Sequence, residues 1–148
     1  MSKKWFLGLT VLIVLLMPSL ARMETPGFSV AGKIIFKNKG DLYIKVVNET
    51  EFNEGKDSIY RDIIKIGTEE IKKKEVSFKF DGIPQGTYGI LCFQDANRNG
   101  KLDTNFIGLP TEPWGVSRNV RPFLRKPKFE EIAFELNKNV TDIRLEVK

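Results

Sequence analysis

Glu75–Asp95 reads EVSFKFDGIPQGTYGILCFQD, and the fold turns on how it is parsed. Val76, Phe78 and Phe80 alternate with Ser77 and Lys79, the period of a strand with one face on a core and one in water. DGIPQG, residues 81–86, then turns the chain, with Pro84 and Gly86 setting the backbone. From Thr87 to Gln94 the run is apolar at nearly every position, which predicts a central strand covered on both faces.

Upstream, FSVAGKIIFKNKGDLYIKVVNETEF carries two β-branched and aromatic runs around NKGD, a short polar linker containing Gly40, which predicts a hairpin. In the second run Leu42, Ile44 and Val46 form an apolar face. ETEFNEGKDS reads as a polar loop, and SIYRDIIKIGTEEIKKKE as irregular chain containing a short strand. Lys72–Lys74 read as a solvated face. Downstream, Pro110, Pro113, Pro122 and Pro127 interrupt any ladder, so residues 104–130 read as an extended, ordered loop. Ile143, Leu145 and Val147 then alternate with polar residues in a last strand with one wet face. Short strands separated by turn residues predict a β-sandwich.

The first residues, MSKKWFLGLTVLIVLLMPSLARMETP, place Lys3 and Lys4 ahead of an apolar run, Trp5–Met17, followed by Ser19-Leu20-Ala21. This is the layout of a secretory signal peptide, with cleavage expected after Ala21. The competing reading, an uncleaved anchor, suffers from a run shorter than the roughly 20 residues a spanning helix needs. A periplasmic or extracellular location follows, with no transmembrane segment after cleavage and residues 22–148 as one domain. Losing two lysines lowers the formal charge from +5 to +3, a mild excess that with export argues against nucleic acid as partner. Cys92 is the only cysteine, so no intramolecular disulfide is available. There is no histidine, which removes His-dependent nucleophile systems, His-ligated zinc and imidazole bases.

The sharpest chemistry lies in DANRNGKLD, directly after the central strand. Asp95, Asn97 and Asn99 put oxygens at alternate positions, as the first, third and fifth residues of a calcium loop do, and Gly100 takes the sixth, where a sharp bend is needed. Lys101 would lend only its backbone carbonyl, and Asp103 fits the ninth position. Phe106 stands where an EF-hand has its bidentate glutamate, and neither flank suggests paired helices; Glu112 is the candidate for the missing carboxylate. The same letters also fit a metal-free turn, since Asn-Gly is a hairpin dipeptide and Asx side chains hydrogen-bond turns, although a hairpin has no need of Asp95, Asn97 and Asp103.

Other residues carry weaker signals. Cys92, among Ile90, Leu91 and Phe93, reads as a small core residue rather than a reactive thiol. Trp114 reads as packing, with ligand stacking as the alternative, and Arg118, close to Arg121 and Arg125, as a possible contact for an anionic group. Asp95, Asp103 and Glu112 could serve a hydrolase as acid and base, but no substrate groove is legible.

Phe80–Asn119, FDGIPQGTYGILCFQDANRNGKLDTNFIGLPTEPWGVSRN, resembles the DUF2141 family of exported bacterial proteins. The likeness rests on Pro84, Gly86 and Tyr88, on the Asp95–Asp103 loop, and on Gly108, Pro110, Glu112, Pro113, Trp114 and Gly115. It implies an all-β, immunoglobulin-like or transthyretin-like antiparallel sandwich, and no known activity. The combined expectation is a non-enzymatic envelope protein with a calcium loop, whose partner is an envelope protein or glycan. A carboxylate-dependent hydrolase and a metal-free adhesion module are the alternatives.

Overall fold

A computed structural model describes residues 26–148. The expected signal peptide and its cleavage point lie outside the described residues. Among the described residues no helix is long and apolar enough to cross a membrane.

The chain is β-rich and forms two sheets. In the first, β1 (Phe28–Ile35) lies between β4 (Glu75–Ile83) and β8 (Val140–Glu146). In the second the order is β3 (Arg61–Ile64), β2 (Asp41–Val47), β5 (Gly86–Asp95) and β6 (Trp114–Val116), with β7 (Phe134–Leu136) also paired to β5. Val30 and Ile34 of β1, Phe78 and Phe80 of β4 and Leu145 of β8 join Leu42, Ile44 and Val46 of β2 and Ile90 and Cys92 of β5 in one buried cluster. Each large apolar side chain so buried contributes roughly 1.5–3 kcal/mol of transfer free energy, so this shared core dominates cohesion.

The Glu75–Asp95 stretch folds as its alternation requires. Phe78 and Phe80 are buried and Ser77 and Lys79 exposed. On β5, Ile90, Cys92 and Gln94 face the shared core, while the opposite face is covered by a second cluster of Val116, Phe129 and Ile132, against which Leu91 and Trp114 pack. Phe93, on that outer face, stacks on Tyr43 at 4.9 Å between ring centroids. Burial in this wall pushes the Cys92 thiol far up, so it is inert packing.

Five expectations are corrected. β1 and β2 do not form a hairpin: β1 pairs with β4 and β8, whereas β2 pairs with β3 and β5. Phe36, 1 % exposed, carries the linker between the sheets, so the two apolar faces meet across the core instead of side by side. β1 and β8 are parallel, so the strand pairing is not wholly antiparallel. The supposed polar loop contains α1 (Glu49–Glu54), capped by Asn48, whose side chain accepts from the Glu51 N–H at 2.9 Å while Glu51 accepts from the Asn48 N–H at 2.9 Å. α2 (Thr68–Lys73) follows the expected short strand β3, and residues 104–130 hold β6, a 3₁₀ turn at Ser117–Asn119 and the start of α3 (Phe129–Ile132).

Val147 and Lys148 tie the sheets together. The Val147 N–H donates to the Ile35 carbonyl at 2.8 Å, and the Lys148 N–H to the Trp114 carbonyl at 3.2 Å. The end of β5, and the loop it carries, therefore sits beside a seam anchored in both sheets.

Candidate functional site

Asp95 is the last residue of β5, paired in register with Asp41 of β2, and is 1 % exposed. A carboxylate so buried requires donors, and the loop supplies them: Oδ1 accepts from the Asn99 N–H at 3.1 Å and Oδ2 from the Gly100 N–H at 2.8 Å. The chain bends to make this possible, with Arg98 at φ 59° and Gly100 at φ 81°, both in the left-handed region. Gly40 lies behind, at φ 131°, where a Cβ would overlap the Asp95 carbonyl oxygen.

The amide side chains build the next layer. Asn97 Oδ1 accepts from the Asn99 N–H and Asn99 Oδ1 from the Lys101 N–H, each at 3.0 Å, two successive Asx turns. Their Nδ2 groups converge on Asp103: Asn97 donates to Oδ2 at 2.6 Å, and Asn99 to both oxygens at 3.0 Å. Donation from Asn99, then from Asn97, holds the Asp103 carboxyl below the usual carboxylate range. The Lys101 side chain is exposed.

Glu112, 9 % exposed, reaches the same loop from the far side of residues 104–111. Its Oε1 accepts from the Ala96 N–H at 2.9 Å and its Oε2 from the Asp103 N–H at 3.1 Å, so one carboxylate straps both ends of the loop. The Thr111 N–H closes the strap on the Asp103 carbonyl at 2.9 Å. Asp95, Asn97, Asn99, Lys101, Asp103 and Glu112 are thus brought into one hydrogen-bonded unit.

The donor set is chemically compatible with a hard cation, since carboxylate and amide oxygens are what calcium takes. Each carboxylate oxygen engaged by one N–H retains a second lone pair. Among the described residues no three His, Cys, Asp or Glu side chains are grouped as a metal cluster by themselves. An ion here must therefore draw on amide and backbone oxygens as well as carboxylates.

Trp114 and Arg118 make different contacts. Trp114 opens β6, half-buried, opposite Phe93 in register, and it is Arg121 that lies over its ring, 4.7 Å from the centroid, while donating to the Trp114 carbonyl. Arg118 donates to the Ala133 carbonyl at 3.4 Å. Arg125 forms a bidentate pair with Glu131, at 2.8 and 2.7 Å.

Two supporting residues escaped the sequence reading. Asp41, buried beside Asp95, pairs with Lys65 at 2.8 Å; that hydrogen bond lowers its pKa against the opposing effect of burial. Gln94 is fully buried, donating to the Asn38 and Gly40 carbonyls at 2.7 and 3.3 Å, and thereby pins the linker between β1 and β2 under the loop. A polar residue ending an apolar run, as Gln94 does, was the available signal.

No curated protein and no solved structure matches the chain. The profile of DUF2141, described as an uncharacterized protein conserved in bacteria, matches residues 33–144, and the chain belongs to that family.

Proposed function

We propose that this protein is an exported, non-enzymatic sandwich of immunoglobulin-like or transthyretin-like type, whose Asp95–Asp103 loop binds calcium and orders the 104–130 segment for a binding or accessory role in the bacterial envelope. The observation that carries the reading is the gathering of five oxygen-bearing side chains, Asp95, Asn97, Asn99, Asp103 and Glu112, at the end of a strand buried on both faces. The non-enzymatic reading is supported by the absence of histidine, by the buried thiol, and by the engagement of the Asp95 and Glu112 carboxylates with backbone N–H groups, which leaves neither poised as a mobile acid or base. With two carboxylates, Asp95 and Asp103, balancing the charge of the ion and neutral amides beside them, affinity belongs in the range of extracellular modules, on the order of 10⁻⁴ to 10⁻³ M.

Thermal unfolding of residues 22–148, in chelator and across calcium concentrations, tests this. At tenfold excess over Kd the ion adds about 1.4 kcal/mol, which raises Tm by about 5 °C; Asp95→Ala abolishes the rise. Superimposable curves up to about 10 mM calcium, tenfold above the weakest Kd expected, refute the calcium site and leave the loop as a self-contained turn.

A further inference from the structure

Ser117–Lys128 reads SRNVRPFLRKPK, five cations and no acid. At the apex of its turn Phe123 is 88 % and Leu124 68 % exposed, and Leu124 holds φ 53°, a left-handed conformation that costs a residue with a branched side chain. Both limbs of the turn are fixed. Arg121 lies on the Trp114 ring and donates to its carbonyl, and Arg125 is clamped by Glu131 at the start of α3. Pro122 stiffens the chain between these anchors, and Pro127 the limb that follows Arg125. The fold thus spends backbone strain and two aromatic and ionic anchors on presenting two large apolar side chains to water, the reverse of what a merely connecting loop requires.

From this geometry we infer that the Phe123–Leu124 turn docks the protein on an anionic phospholipid bilayer, the two apolar side chains entering the boundary between headgroups and acyl chains while the surrounding cations meet the lipid phosphates. Charge complementarity selects the occupant. Lys126 and Lys128 form no ion pair among the described residues, and Arg118 lies in the same acid-free segment. Each cation held near an anionic surface adds its own attraction, and a convex apolar tip needs no matching pocket in a fluid bilayer, as it would in a protein partner. Another exposed apolar tip separates the two contributions: Phe106, 99 % exposed, and Ile107 lie in Thr104–Pro110, which bears no charge at all. This assignment is independent of calcium at the Asp95–Asp103 loop.

Cosedimentation of residues 22–148, which contain every strand and core side chain described above, with vesicles of phosphatidylcholine alone or mixed with phosphatidylglycerol tests the inference, with circular dichroism confirming the fold of each variant. Binding is expected on the anionic vesicles only, weakening as salt is raised. The double variant Phe123→Ser, Leu124→Ser lowers the partition coefficient about tenfold or more, as does the pair Lys126→Glu, Lys128→Glu. Phe106→Ser with Ile107→Ser leaves it unchanged. Equal binding to neutral vesicles, loss of binding in the Phe106 and Ile107 variant instead, or no vesicle binding by the wild type overturns the assignment. Retention on immobilised polyglutamate without any vesicle binding also overturns it, in favour of an acidic protein partner.

Discussion

Among single residues, Glu112 shows how one side chain can set the shape of a loop. Its two oxygens satisfy N–H groups at Ala96 and Asp103, which bound the turn, and it is nearly buried. Glu112→Ala leaves two half-buried donors without their acceptor, so a loss of about 1 kcal/mol is expected in denaturant unfolding, calcium or not. An unchanged midpoint would mean that the strap is dispensable. The oxygen spacing of Asp95, Asn97, Asn99 and Asp103 was legible in the sequence, and so was Glu112 as a residue belonging with that loop. The role taken by Glu112 in the structure, accepting from backbone at both ends of the loop, was not, because it depends on where residues 104–111 bring it.

At the level of elements, the short helices follow a rule that local sequence already states. Asn48 with Glu51, Gly67 with Glu70 and Lys128 with Glu131 each put a glutamate three residues into a helix, where it accepts from the N–H of the residue before the first turn. Polar composition hid them, since none of the three helices is long enough for an apolar period to emerge. At α3 the Glu131 carboxylate also receives Arg125, and this pair, with the Lys128 N–H second, lowers its pKa from 4.5 to about 2. A carboxyl whose folded pKa is depressed stabilises the fold above its unfolded value and loses that contribution as pH falls from 4.5 towards about 2. Glu131→Gln is therefore expected to be less stable than wild type at neutral pH, with the two denaturation midpoints converging as pH falls through that interval. Parallel pH profiles would show that the pair is not linked to folding.

For the molecule as a whole, β8 is the strand whose position is least local. It lies parallel to β1, at the opposite end of the described chain, and sends Leu145 into the core between the sheets, joined by Val147 just beyond its end. Leu145→Ala is expected to cost about 2–5 kcal/mol, read as a lowered denaturation midpoint with little change in slope; a loss near zero would place Leu145 outside the cooperative core. By itself the sequence determined which segments extend, because side chains alternate with period two on a strand: Phe78 and Phe80, Leu42 to Val46, and Ile143 to Val147 all announced their buried face. It also determined the buried central strand and the oxygen-rich loop after it. Tertiary structure alone decided which strands pair and which merely face each other. The segment between β1 and β2 looks like a hairpin turn yet crosses from one sheet to the other, and the two-residue link Pro84-Gln85 does the same between β4 and β5. Alternation specifies that a face must be buried but not against what, and the answer lies in contacts between residues far apart in the chain, which no local pattern encodes.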